Sequence, residues 1–198
     1  MKFYDWRMDA IRDGRGFHVT VGALTTPIVG GGAGTAIVIN TPEALISVPD
    51  GTSILPIRVD VQCELPTIAT AGDVSEIIIG SDKDAAWDTT GTKVDETAVN
   101  MRTTHTATSL CTCASAFTVA PTVDPAADYE IARAQSTGSF YTDAEDPPLN
   151  ANFEELKLLY EPLSPMILDG PCMLLVYWGG TVATTGFAQI EWIELADN

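Results

Sequence analysis

The amino-acid sequence predicts an all-β domain, either a sandwich or a barrel. Apolar and polar residues alternate over short segments, Gly, Pro and Asp residues separate these segments, and no long periodic helical segment follows residue 15. The length of 198 residues suits one domain, and an apolar content of 45% is too high for a disordered chain. We therefore expect an N-terminal arm over residues 1–16 and one β domain over residues 17–198.

The arm is predicted to contain a short helix. Phe3, Trp6 and Ala10 are spaced for one helix face, and Gly14 follows as a helix breaker. The first fifteen residues carry four of the ten basic residues and three acids, whereas the rest of the chain carries six bases and 24 acids. A slightly basic segment therefore precedes a strongly acidic domain, in a chain whose net charge is −17.

This charge distribution allows two interpretations of the arm. Either the arm is neutralised by its own acids and packs on its own domain, or it docks onto an acidic neighbour. The second interpretation assigns docking to Trp6, Arg7, Arg12 and Arg15. On that interpretation, deleting residues 1–15 removes docking and leaves the domain folded.

The clearest strand spans Pro56–Leu65, where apolar and polar residues alternate without interruption. The alternation predicts that Ile57, Val59 and the later odd-numbered residues face a core, while Arg58 and the later even-numbered residues face water. The segment Leu156–Tyr160 fits either a strand or a helix turn. Further strands are predicted at Phe17–Ala23, Leu45–Val48, Val74–Gly80, Ser109–Val119, Tyr129–Gln135, Cys172–Trp178 and Phe187–Leu195.

The strand Cys172–Trp178 consists of seven consecutive apolar residues. A sandwich strand with one face in water has polar residues on that face, so here both faces are expected to be covered. The cover is either a partner subunit or a segment of the chain itself, such as the one containing Phe3 and Trp6. The first alternative assigns an oligomer interface to Leu175, Tyr177 and Trp178.

Two groups of residues allow a metal site as an alternative to a structural role. Cys63, Cys111, Cys113 and Cys172 are expected to be small core residues, because free cysteine is usually buried, although four thiolates also suit Zn²⁺. The acidic segment with Asp82, Asp84 and Asp88 is a weak Ca²⁺ candidate. It fails the EF-hand pattern, because the twelfth position from Asp82 is Lys93 rather than Glu, and the alternative is a solvated acidic turn.

Other catalytic and binding signatures are absent from the sequence. The two histidines, His18 and His105, are isolated, and neither a Gly-x-Ser-x-Gly elbow nor a Cys/His nucleophile signature occurs. Gly30–Gly34 lacks the Gly-Lys-Ser/Thr ending of a phosphate-binding loop. A pI near 4.1 argues against nucleic-acid binding, and no apolar stretch reaches the roughly 18–20 residues that cross a bilayer. We expect no enzymatic activity, no cofactor, no nucleic-acid partner and no membrane partner.

Two segments carry a resemblance to a known group of proteins. Residues Pro42–Val59 resemble the opening strands of viral and phage jelly-roll proteins. Residues Gly170–Trp192 are similar to the last hairpin of such domains and to that of trimeric tumour-necrosis-factor/C1q-like jelly rolls. The resemblance implies a jelly-roll β-sandwich with an N-terminal arm, and a trimeric protein without catalytic residues.

The same resemblance implies a function in a virus particle. Virion structural proteins of tailed phages use small jelly rolls as capsid decoration or cement, so we expect a homotrimer that binds the major capsid protein on the outer capsid surface. The start of the chain does not read as a signal peptide, so synthesis in a host cytoplasm is expected. The alternative is a carbohydrate- or receptor-binding jelly-roll module of a phage particle.

Overall fold

The computed structural model describes residues 6–31, 37–64, 74–83, 87, 89–119, 129–137, 156–181 and 184–195. Phe3, Asp84 and Asp88, which the sequence analysis singled out, lie outside these ranges. Within them the chain forms a short helix and two antiparallel sheets. The helix α1 spans Trp6–Arg12, and the strands are β1 Gly16–Val21, β2 Ile28–Val29, β3 Ala44–Val48, β4 Ser53–Glu64, β5 Val74–Asp82, β6 Thr92–Glu96, β7 Val99–Asn100, β8 Thr112–Val119, β9 Tyr129–Thr137, β10 Leu156–Tyr160, β11 Leu168–Asp169, β12 Cys172–Gly180 and β13 Thr185–Glu194.

The order of the strands is that of a jelly roll. One sheet runs β10-β4-β13-β1-β7, with β11 also pairing β4 and β2 pairing β13, and the other runs β6-β8-β3-β12-β5-β9. Four of the strands, β10, β4, β13 and β1, are consecutive neighbours in the first sheet, and β3, β12, β5 and β9 are consecutive neighbours in the second, which is the strand order of a jelly roll. The two sheets pack face to face. The predicted all-β jelly-roll sandwich is confirmed. We call the two sheets the β4 sheet and the β12 sheet.

The main core lies between the two sheets and follows the alternation of the strands. Val59, Val61 and Cys63 of β4 face it, as their spacing predicts. Ile190 and Trp192 of β13 face it as well, and both are fully buried. The Trp192 ring stacks against Phe17 of β1, with 6.1 Å between ring centroids. A pattern with period two along each strand therefore sets this core.

The prediction for Ile57 is wrong, because β4 contains a bulge. Glu191 pairs with Arg58 and Trp192 pairs with Pro56, so Ile57 is an extra residue on its strand. A bulge reverses the alternation, and it directs Ile57 away from Val59. Ile57 instead packs with Ala10 and Ile193 in a separate cluster. The outer face of the β4 sheet is thus apolar at this end.

The ambiguous segment Leu156–Tyr160 is a strand, paired with residues 59–63 of β4. In the turn between β3 and β4, the Thr52 N–H donates to Pro49 O at 3.2 Å. The short strands β2, β6, β7 and β11 have no clear signal in the sequence. Nowhere in the described ranges does a helix have both the length and the apolar character to cross a membrane.

Candidate functional site

The described part of the arm is packed onto the domain. The helix α1 ends in a Schellman motif, in which the Arg15 N–H donates to Ala10 O and the Gly14 N–H donates to Ile11 O, both at 3.0 Å. Gly14 takes the left-handed conformation that this motif requires, with φ of 77°. A Cβ at Gly14 would lie 2.2 Å from the His105 ring, so the position has space only for glycine.

The buried face of α1 covers the apolar end of the β4 sheet. Ala10 is 2% exposed and packs with Ile57 and Ile193, with Leu55 and Met101 at the margin of the cluster. The strand β13 is also joined to the arm by the Glu194 N–H, which donates to Arg15 O at 2.9 Å. Deleting residues 1–15 therefore uncovers this cluster. The expectation that the domain is left intact does not follow from this packing.

The predicted docking residues occupy different environments. The Arg12 guanidinium lies 3.7 Å from Asp9, and that of Arg15 lies 3.4 Å from Asp13, so acids of the arm itself face both. Arg7 donates to the Pro162 carbonyl and lies 5.6 Å from the centroid of the Trp6 ring. The interpretation of the arm as a self-neutralised segment on its own domain fits these contacts, and exposed ion pairs of this kind contribute little energy.

Three exposed apolar residues that the sequence analysis did not single out, Leu163, Met166 and Ile167, follow Pro162, which Arg7 of α1 contacts. Leu163 is 95% exposed, Ile167 is 57% exposed, and Met166 and Trp6 are each more than a third exposed. The hydrogen bond from Arg7 to the Pro162 carbonyl joins the start of α1, where Trp6 lies, to the loop that carries these residues. We call Trp6, Leu163, Met166 and Ile167 the apolar rim. Its signal in the sequence is the presence of large apolar residues in a proline-rich loop.

The residues predicted as an oligomer interface are covered within the chain. Trp178 faces the core between the sheets, whereas Leu175 and Tyr177 face the opposite side of the β12 sheet. All three are at most 2% exposed. The apolar run of β12 is therefore explained by intrachain cover, and its burial does not require a partner subunit.

Among the described residues, Trp87 and Ile37 pack over the outer face of β12, and Trp6 does not belong to this cluster. Trp87 packs with Leu175 and Tyr177, and its ring meets Phe117 edge to face with 5.5 Å between centroids. Its backbone N–H donates to Ser47 Oγ at 3.0 Å, and its Nε1–H donates to the Thr90 carbonyl at 2.9 Å. These bonds fix the ring over the sheet.

A buried carboxylate joins β12 to the glycine-rich loop. Glu43 is 2% exposed, and its two carboxylate oxygens accept the N–H groups of Gly31 at 2.7 Å and of Trp178 at 2.9 Å. Hydrogen bonds to an ionised carboxylate are stronger than neutral ones. The residues Gly30 and Gly31 are thereby held against Trp178 near the end of β12, in a structural role.

The four cysteines are buried core residues with free thiols, as predicted. Burial raises the pKa of Cys63 and Cys111, and it raises the pKa of Cys113 to about 12, with the Glu96 and Glu194 carboxylates contributing. A high pKa keeps each thiol protonated, which disfavours metal ligation and nucleophilic reactivity. Among the described residues, no three His, Cys, Asp or Glu side chains are grouped as a metal site.

The Ca²⁺ candidate Asp82 lies in a cleft at one end of the sandwich, while Asp84 and Asp88 lie outside the described residues. The cleft has a volume of about 320 Å³ and is lined by the end of β5 and by residues between Met166 and Cys172. We call it the Asp82 cleft. Its lining residues are Ser81, Asp82, Lys83, Met166, Ile167, Leu168, Asp169 and Cys172.

The two histidines occupy separate environments. His18 lies on the outer face of the β4 sheet, opposite Glu191 of β13 and Val99 of β7. His105 lies in the loop after β7, packed against Gly14, and its Nδ1 accepts the Ala107 N–H at 3.1 Å. Among the described residues, no nucleophile and orienting acid are found together around either imidazole.

Comparisons with family models, curated proteins and solved structures returned no match to this chain. The resemblance to phage jelly-roll proteins therefore stays a prediction. The fold rests on the strand order alone, and jelly rolls support many unrelated functions.

Proposed function

We propose that this chain is a non-enzymatic structural protein of a virus particle, a decoration or cement protein that binds the outer capsid surface as a homotrimer. The apolar rim is the observation that carries the docking function. Leu163 and Ile167 present large apolar side chains to solvent on a protein that is otherwise strongly acidic. Exposed apolar patches mark sites of interaction with a partner.

The rim is a better docking surface than the arm cations. Acids of the arm itself face Arg12 and Arg15, and Arg7 is engaged with Pro162. Burial of an exposed leucine contributes about 1.5–3 kcal/mol, whereas an exposed ion pair contributes less than about 1 kcal/mol. On this proposal the major capsid protein supplies an apolar surface to the rim, and the charges of the arm set orientation.

The trimer contacts lie outside β12 on this proposal. Leu175 and Tyr177 are already covered by Trp87, so they offer no surface to a sister subunit. The net charge of −17 keeps a densely arrayed protein soluble through mutual repulsion of its outer surfaces. Native mass spectrometry gives the mass of the assembly, and the proposal predicts three copies.

Binding to capsids that lack this protein tests the proposal. The variant Leu163→Asp places a charge in the rim, and we expect it to bind capsids at least about tenfold more weakly. The matched control is Leu24→Asp, which changes an exposed leucine outside the rim. Equal binding by both variants would exclude the rim, and no binding by the unmodified protein would exclude the capsid function.

A further inference from the structure

The sequence contains three Asp-Gly pairs, and the fold places them in different surroundings. They are Asp13-Gly14 after α1, Asp50-Gly51 between β3 and β4, and Asp169-Gly170 between β11 and β12. In such a pair the glycine has no Cβ to hinder the approach of its nitrogen to the aspartate side chain, so the backbone isomerises more readily than at other residues. The structure therefore decides which of the three pairs reacts.

The amide nitrogens of Gly14 and Gly170 are held in hydrogen bonds. The Gly14 N–H donates to Ile11 O at 3.0 Å, and the Gly170 N–H donates to Thr52 O at 2.8 Å. Both glycines are also enclosed, because Gly14 is buried and a Cβ on Gly170 would lie 1.9 Å from Pro49 O. Neither nitrogen can swing toward the neighbouring side chain unless native contacts break.

The carboxylates of the same two pairs have partners, whereas Asp50-Gly51 is unconstrained. The Arg15 guanidinium lies 3.4 Å from Asp13, and Ser53 Oγ donates to Asp169 at 2.5 Å.

Asp50 and Gly51 are both exposed. Among the described residues, no acceptor meets the Gly51 N–H and no donor meets the Asp50 side chain. Apart from the adjoining residues, no described atom lies within 4 Å of a Cβ position at Gly51. The Gly51 nitrogen and the Asp50 carboxyl therefore have space to approach each other.

We propose that Asp50-Gly51 is a modification site, at which Asp50 converts spontaneously to isoaspartate through a cyclic imide. The Gly51 nitrogen attacks Cγ of the protonated Asp50 carboxyl, an N–Cγ bond forms, and the N–H proton leaves with the carboxyl hydroxyl as water. A second water then opens the imide. Cleavage of the bond from the nitrogen to the main-chain carbonyl carbon leaves the peptide bond on Cγ, whereas cleavage of the N–Cγ bond restores aspartate.

The isoaspartate form has one more backbone carbon in the turn that joins the two sheets, because β3 belongs to the β12 sheet and β4 to the β4 sheet. This site does not rest on the proposed capsid function.

Peptide mapping after incubation of the folded protein at about pH 6 tests the site, because the reaction needs a small protonated fraction of the carboxyl. Aspartate and isoaspartate have the same mass, and electron-transfer fragmentation distinguishes them. We expect isoaspartate to form at Asp50 at least about tenfold faster than at Asp13 or Asp169, where a hydrogen bond has to break before the ring closes. Asp50→Glu is expected to abolish the modification, because its imide ring is larger and closes more slowly. The control Asp95→Glu changes an exposed acid on β6 and is expected to leave the rate at Asp50 unchanged.

Two references separate the effect of the fold from that of the local sequence. In urea, where the fold is lost, the three Asp-Gly pairs are expected to react at similar rates. A free peptide of residues 48–53 gives the intrinsic rate, and Asp50 in the folded protein is expected to react within about tenfold of it. Three results would each overturn the proposal: a rate at Asp13 or Asp169 within about tenfold of that at Asp50 in the folded protein, a rate at Asp50 more than about tenfold below that of the peptide, or the same selectivity in urea.

Discussion

Replacing Trp87 by alanine removes the indole ring that packs on the outer face of the β12 sheet. Trp87 is 5% exposed and packs on Leu175 and Tyr177. The substitution also removes the edge-to-face contact with Phe117 and the bond from Nε1–H to the Thr90 carbonyl. It therefore exposes the strand that the sequence analysis assigned to an oligomer interface.

The expected cost follows from the packing. Truncating a buried tryptophan to alanine lowers the free energy of unfolding by about 3–5 kcal/mol. The aromatic pair with Phe117 contributes about 0.5–1.5 kcal/mol beyond area burial and places the cost in the upper part of that range. We expect a loss of about 4–5 kcal/mol. This loss is a large fraction of the stability of a typical domain.

Urea unfolding followed by circular dichroism measures this loss. The matched control is Trp6→Ala, which truncates a tryptophan that is 38% exposed and is expected to cost less than about 1.5 kcal/mol. Binding of a hydrophobic dye to the folded Trp87→Ala protein is expected to rise, because Leu175 and Tyr177 become accessible. A loss below about 1 kcal/mol for Trp87→Ala, with no added dye binding, would refute the intrachain cover.

Three further predictions concern single residues and groups. Gly14→Ala is expected to lower the free energy of unfolding by about 2–4 kcal/mol, from backbone strain plus a steric clash. The control Gly51→Ala, with φ of 76° and open space around its Cβ position, is expected to cost only the strain of about 1–2 kcal/mol. Equal costs for the two variants in thermal unfolding would show that the Gly14 Cβ position makes no steric clash. Glu43→Gln replaces one accepting oxygen with an amide group that donates toward a backbone N–H, and it is expected to lower the free energy of unfolding by about 2 kcal/mol in urea. An unchanged free energy of unfolding would show that the carboxylate does not hold Gly31 against β12. The native thiols are expected to resist a thiol reagent at pH 8, and rapid labelling of the folded protein at that pH would contradict their burial. Because folding raises the pKa of Cys113 and Cys172 from 9.0 to about 12, ionisation of these thiols leaves the free energy of unfolding unchanged below pH 9 and lowers it as the pH rises toward 12.

Local alternation in the sequence predicts the central strands well. The segments around Val59, Val176 and Ile190 became strands near their predicted bounds, because period two along a strand is a property of neighbouring residues. The bulge at Ile57 was not predictable from this pattern, because an extra residue on one strand is defined only by its partner strand. This one extra residue turns the Ile57 side chain to the outer face of the β4 sheet, where it packs against Ala10 of α1.

Contacts between distant segments explain the remaining differences. The cover of β12 by Trp87 depends on where an irregular segment returns to the sheet, and a run of apolar residues does not reveal which segment that is. The Asp82 cleft likewise joins Asp82 and Asp169 through the packing of β5 beside β12, and no spacing in the sequence brings them together. Of these two acids, only Asp82 was singled out from the sequence, because Asp84 and Asp88 follow it closely in the chain.

The copy number of the protein in purified virus particles tests the central proposal most directly. Quantitative mass spectrometry compares its peptides with those of the major capsid protein. A decoration protein that occupies the capsid lattice is predicted to be present at a copy number near that of the lattice sites. Absence from purified particles, or presence at only the few copies typical of a tail component, would contradict the proposed function.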